Sequence, residues 1–326
     1  MSLLRRPSYR RATAQWVLPV FGLLLIFLVI SSVANDVDWF RRAFRIASLV
    51  ALLWAITSGR VNLKSGLFGA AVALVVNAVL FYAGVAPDNY GGVLTGFLGD
   101  KNVAGLYYTI LPLMIAASSS SRRLRLLSMT AGLVAAFLTE SRTSLGAYAA
   151  AIAWVLVSSK LPRIGRAVFG GMLIMGLQYV EANLARIWIY TDREGSDALR
   201  ERIGQAAVEK TESAPWHGLG LGQANINLDG NLWFFHDSYL GLQAEGGLIF
   251  LTVIVGAYLV NGLRPLSRRV RNPETLYVEA ATIALLVCAW KLGEVFLSIP
   301  GFVLLGYAVK INLSSGVSKH ADELAK

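Results

Sequence analysis

An all-α, polytopic transmembrane helix bundle is the fold class this sequence predicts, and three observations predict it. Hydrophobic residues make up 55% of the 326 residues and charged ones only 15%, a balance foreign to water-soluble domains of this length. The apolar runs are continuous, as in residues 21–30 (Phe-Gly-Leu-Leu-Leu-Ile-Phe-Leu-Val-Ile). That pattern fits helices that satisfy their own backbone, not alternating barrel strands. Third, lysines and arginines collect in every second loop between the apolar runs.

Taken in order, about ten spans are expected: 15–34, 43–58, 65–84, 103–118, 125–139, 144–158, 167–184, 237–262, 277–293 and 298–312. Several fall short of the ~20 residues a full crossing needs, and 277–312 reads either as two crossings or as a re-entrant pair. The first span is long and lacks a small-residue cleavage site, so it reads as a retained anchor. The cations at Arg5, Arg6, Arg10, Arg11, Arg60, Lys64, Arg122, Arg123, Arg125, Lys160, Arg163, Arg166, Arg264, Arg268, Arg269, Arg271, Lys319 and Lys326 fall on one side. By the positive-inside bias, that side and both termini are cytoplasmic. The chain is then one integral membrane domain, 1–326, whose outer loops are short except for 185–236.

A loop of ~50 residues is normally functional and partly structured. Ser196 or Asp197 can cap a helix running to about Lys210. Leu199, Ile203 and Ala207 share one face of it, which would rest on the membrane surface or on the tops of the spans. Residues 218–222 (Gly-Leu-Gly-Leu-Gly) and the Asn/Gly-rich stretch 223–231 would form a tight return.

Several function classes drop out. The net charge of +10 is dispersed over short loops, which fits anionic lipid and not nucleic acid. The single cysteine, Cys288, rules out an internal disulfide and any Cys-based zinc site. The glycines at 218, 220 and 222 do not follow a strand and open a helix, so they are no dinucleotide fingerprint. No metal cluster is recognisable. Asp36 and Asp38 resemble a metal-binding acidic pair but lie on the outer side, where nucleotide sugars are not supplied.

The polar residues that invite chemistry lie in the outer loops. Arg142 follows Glu140 and Ser141 in a short turn; it is either a snorkelling helix-end arginine or a bidentate ligand for phosphate. Arg200 falls in the first turn of the expected loop helix, where the helix dipole disfavours a cation unless an anion is near; solvated surface charge is the alternative. His236 sits at the lip of an outer span, as a helix cap or as a general base. Glu245 follows nine residues later, roughly 13 Å deeper at ~1.5 Å per residue. A carboxylate at that depth needs a wet cavity or an arginine partner. Lys101 and Asn102 precede a span, and Lys291 and Glu294 are spaced to pair.

In this order and spacing, these residues resemble the O-antigen ligase and O-antigen polymerase superfamily of bacterial envelope glycosyltransferases. The likeness covers about residues 97–262. It rests on Lys101-Asn102 before one span, Ser141-Arg142 after a later one, and Arg200 about eighteen residues before Gly218 and Gly220. Pro215 accompanies the glycines, and a segment runs from His236 through Tyr239 to Glu245 and Gly247. Asp237 stands where the family usually has Asn or Ser, and Gly204 where tryptophan is frequent. The resemblance implies transfer of a glycan from undecaprenyl pyrophosphate to an acceptor hydroxyl at the periplasmic face of the bacterial inner membrane. No metal or other cofactor would take part. The acceptor would be another lipid-linked glycan, in an exopolysaccharide or O-antigen polymerase, or lipid A core, in a ligase. Other polysaccharide assembly proteins are possible partners. Arg142 and Arg200 would hold the pyrophosphate and His236 would act as base or position the acceptor. Glu245 would support them, with Lys101, Asn102, Ser141, Asp237, Gly218 and Gly220 lining the pocket. A transporter for glycolipids or small anions is the rival of another class, and a scaffold within an envelope complex is a third.

Overall fold

The computed structural model describes the backbone of residues 15–184, 194–264 and 272–324, and side chains within 15–176, 198–264 and 272–313. The basic N-terminal tail, Arg193, Arg268, Arg269, Arg271, Lys319 and Lys326 lie outside these side chains, as does the expected cap at Ser196 or Asp197. Helices dominate: α1 (Val17–Ala34), α2 (Phe40–Thr57), α3 (Leu63–Tyr82), α4 (Lys101–Ser118), α5 (Arg122–Leu138), α6 (Arg142–Val157), α7 (Arg163–Leu184), α8 (Glu194–Glu212), α9 (Ser238–Tyr258), α10 (Pro273–Ala289) and α11 (Ile299–Leu324). Each apolar run read from the sequence is a helix. Three described helices are long and apolar enough to cross a membrane: Val17–Ala34, Leu63–Tyr82 and Ser238–Leu263. Their outward faces carry bare apolar side chains such as Leu23, Ile26, Val75 and Val79, as a lipid-facing surface requires.

Local chemistry sets the helix starts. Asn62, Asp100, Ser121, Ser141, Asp237 and Asn272 each cap a helix by accepting a backbone N–H two or three residues ahead, which satisfies donors the first turn leaves orphaned. Pro273 opens α10, where its missing N–H is harmless. Residues 278–289 of α10 are buried throughout, packed against α4, α6 and α11. This makes α10 the centre of the bundle.

The connections at one end of the bundle converge. Leu94 N–H donates to Leu138 O at 2.9 Å, Ser141 Oγ reaches Asn102 Oδ1 at 3.5 Å, and Ser31 Oγ meets the His217 carbonyl at 3.3 Å. The outer loops of the sequence reading therefore share one end. In the stretch 277–312, α10 and α11 are two packed helices joined by a turn.

Three features depart from the expectations. The stretch 223–231 belongs to an antiparallel hairpin, β1 (Asn225–Leu228) with β2 (Asn231–Phe234), so the fold is not wholly α. Asp229 and Gly230 take φ of 54° and 80° at its tip, the conformation that suits a two-residue hairpin turn. Next, α8 begins at Glu194, which puts Arg200 beyond the first turn. The dipole argument for an anion there loses its basis, because that field fades within one turn. Finally, α9 is broken at Gly246 (φ −139°, ψ 20°) and Gly247 (φ 62°, ψ −161°).

The shared face of α8 does what its spacing predicts. Ile203 and Ala207 are buried, with Leu199 partly so, in a small core built with Ile226, Phe235 and Ala244. The face rests on the hairpin and the head of α9 and covers the bundle end.

Candidate functional site

Two linked zones occupy that end. The first is an open lip where α4, α6, α8 and α9 present their termini or flanks. Asp100 caps α4 through Asn102 N (2.8 Å) and Val103 N (3.0 Å). Its other oxygen accepts the Tyr90 hydroxyl at 2.7 Å. Lys101 Nζ lies 5.6 Å from the centre of the Tyr90 ring. Burial, with the Asp100 carboxylate second, pushes the Tyr90 phenol up to about 12, while Arg200 pulls the other way.

Arg200 also acts on His236. Burial lowers the His236 pKa from 6.5, the Arg200 charge lowers it further, and Asp100 opposes both. His236, Arg200, Asp100 and Tyr90 thus share one electrostatic neighbourhood, with Lys101 at its edge. Ser141, buried, bonds to Ser144 Oγ at 2.8 Å and to Asn102, so the first turns of α4 and α6 touch. Arg142 follows as the first residue of α6. Asp237 accepts from Tyr239 N (2.7 Å) and Leu240 N (3.0 Å) as the cap of α9. Burial raises its carboxyl pKa, against those two N–H groups and Lys291.

The second zone lies beneath and is held by backbone. The break in α9 leaves the Ala244 and Glu245 carbonyls without helical donors, and the glycine segment supplies them. Leu219 N–H bonds to Ala244 O (2.7 Å) and Gly220 N–H to Glu245 O (3.1 Å), while Leu248 N–H donates to Trp216 O (3.2 Å). Leu221 N–H finds Ser32 Oγ at 2.8 Å. A Cβ on Gly218 would lie 2.6 Å from Gly246 N, and one on Gly220 2.6 Å from Val37 Cγ2. These two positions therefore need glycine for close packing against α9 and α1.

Glu245, 2% exposed, is paired with Arg42 of α2. Arg42 Nε lies 3.0 Å from Oε1 and Nη2 lies 3.1 Å from Oε2. Gly222 N–H adds a third bond at 3.0 Å. Arg42 Nη1 bonds to Glu294, whose other oxygen takes Arg45 at 2.7 Å. Glu294 therefore pairs with these arginines and not with Lys291, which the sequence spacing had offered. A cavity of about 30 Å³ beside the ladder, lined by Arg42, Asp237, Glu245 and Phe234 among others, has room for water and not for a sugar.

Sequence reasoning singled out neither Arg42 nor Tyr90. The signal for Arg42 was present: Arg41, Arg42 and Arg45 are cations at a helix start on the side that the sequence reading took as outer, against its own charge bias. Among the described residues no group of His, Cys, Asp and Glu is arranged to hold a metal. No family model, curated protein or solved structure matches this chain.

Proposed function

We propose that the chain is a bacterial inner-membrane glycosyltransferase. It moves a glycan from undecaprenyl pyrophosphate to an acceptor hydroxyl on the periplasmic face, most simply as a polymerase of exopolysaccharide or O-antigen repeat units. In this reading α1–α7 and α9–α11 cross the membrane, both termini are cytoplasmic, and α8 with the hairpin covers the site. The observation that carries the reading is the gathering of His236 with the charges of Arg200, Asp100 and Lys101 at one lip, where burial and then the Arg200 charge disfavour imidazolium.

A neutral imidazole near pH 7 can take a proton. The acceptor hydroxyl oxygen attacks the anomeric carbon, its proton passes to His236, and the bond from that carbon to the pyrophosphate oxygen breaks with inversion. Arg200, Arg142 and Lys101 supply positive charge for the departing pyrophosphate. The side-by-side first turns of α4 and α6 add their dipoles. Asp100 and Asp237 hold the helix starts from which these groups project. The exposed apolar helix faces give the lipid tail a route along the bundle.

The test is polysaccharide length in a deletion strain complemented with wild type, Arg200→Ala or His236→Ala at matched expression, with lipid-linked intermediates extracted in parallel. Loss of polymer with accumulation of single repeat units on the lipid supports the polymerase. Accumulation of long lipid-linked polymer that never reaches lipid A identifies a ligase. Unchanged glycans with both substitutions refute the transferase and bring the transporter forward.

A further inference from the structure

Arg42 lies in the zone beneath the lip, and both backbone arms that hold His236 lead to its carboxylate partners. On the N-terminal side, Phe235 N–H donates to Ala224 O at 3.1 Å. Ala224 belongs to the strip that runs back to Gly222, whose carbonyl is held by Asn225 Nδ2 at 2.6 Å and whose N–H is held by Glu245. On the C-terminal side, Ser238 Oγ donates to Leu292 O and accepts Val295 N–H at 2.9 Å. Those two residues bracket Glu294, which stands in left-handed backbone at φ 60°. Gly293 beside it lies so close to the Phe235 carbonyl that a Cβ would collide. One arm reaches Glu245 and the other Glu294.

A single planar guanidinium joins them: one edge grips Glu245 and Nη1 grips Glu294. Lysine presents a point charge in place of this fork and cannot hold both carboxylates in fixed geometry. The Arg42–Glu245 contact itself is also well buried. Arg42 is 13% exposed and Glu245 2%, so removing one partner strands a buried charge, whereas replacing both by neutral side chains of similar volume is tolerated.

We infer that Arg42 is the positioning residue of the lip: by tying Glu245 to Glu294 it fixes where His236 stands relative to Arg200. The inference rests on reading His236 and Arg200 as the working pair, but its test does not depend on turnover. The variants are the neutral pair Arg42→Met/Glu245→Gln, chosen to fold, and Arg42→Lys, which keeps the charge and loses the fork. In reconstituted full-length protein, the His236 ring is titrated by NMR with labelled histidine, assigned through His236→Gln. The groups facing it are Arg200 and Asp100, and neither is altered.

With the clamp gone, the His236 midpoint is expected to move up towards 6.5 in the neutral pair and part of the way in Arg42→Lys, at unchanged melting temperature. Transfer is expected to fall by roughly 10²-fold in kcat, the usual consequence of a misplacement near 1 Å, with KM little altered. A His236 midpoint identical to wild type in both variants overturns the inference and leaves Arg42 as a strut. A wild-type protein without transfer activity sinks the transferase reading alone, because the titration still decides the role of Arg42.

Discussion

Replacing Gly247 by alanine is the sharpest perturbation of the break in α9. Gly247 sits at φ 62°, ψ −161°, a region open essentially to glycine alone, where an L-residue loses roughly 1–3 kcal/mol. The new Cβ would fall inside the contact distance of the Trp216 carbonyl and 2.8 Å from Gly218 N. Both neighbours are backbone, so relief requires the 216–222 strip to lift. Lifting it loosens the Leu248–Trp216, Leu219–Ala244 and Gly220–Glu245 bonds, each contributing about 1 kcal/mol. The sum is roughly 4–6 kcal/mol, a large share of the 5–15 kcal/mol typical of a folded domain. Gly256→Ala in the same helix is the control, because its Cβ meets nothing within 4 Å. It should be neutral or stabilising by about 0.5–1 kcal/mol. Thermal and denaturant unfolding of the two variants in the same detergent measures the difference. If Gly247→Ala is as stable as Gly256→Ala, the strip does not fill the helix break and the account of the second zone is wrong.

Three further outcomes are expected. Arg200→Ala removes a cation that disfavours imidazolium, so the His236 midpoint rises, as read by histidine NMR; an unmoved midpoint would separate the two residues. Because the folded His236 pKa lies below 6.5, the unfolded chain binds more protons as pH falls through that value. Folding stability therefore declines from about pH 6.5 down to the folded midpoint and is indifferent to His236 at higher pH; unfolding of His236→Gln across pH 5–8 should show that slope removed. Asp237→Ala strips the cap of α9 and should cost about 0.5–2 kcal/mol, whereas Asp237→Ser should keep most of it; equal melting temperatures for alanine and serine would deny the capping role.

The helices were legible because the apolar runs state them directly, and the buried face of α8 was legible from Leu199, Ile203 and Ala207; the caps at Asn62, Asp100, Ser121, Ser141, Asp237 and Asn272 emerged only with the structure. The hairpin was missed although Asp229-Gly230 between two short apolar stretches is a strong turn signal; the Asn/Gly content around it drew the reading towards loop. The break in α9 was missed because glycines inside an apolar span look like packing residues. Only the incoming 216–222 strip reveals why two are consecutive. Asp100, Lys101, Asn102, Ser141 and Arg142 announced themselves by position at helix starts. Arg42 did not, since its partners lie 203 and 252 residues away and no local pattern encodes such a pairing.

That separation bears on how the protein is made. In chain order Arg42 comes first, and Glu245 and then Glu294 follow 203 and 252 residues later. Until both carboxylates have been synthesised, the Arg42 guanidinium lacks the partners that tie α2 to the break in α9 and to the α10–α11 turn. A nascent chain stalled before the α10–α11 turn would hold α1–α10 and still lack the Glu294 half of the clamp. Glu294 thus closes the clamp last: the end of the bundle that carries His236 is tied together only after the α10–α11 turn has been made.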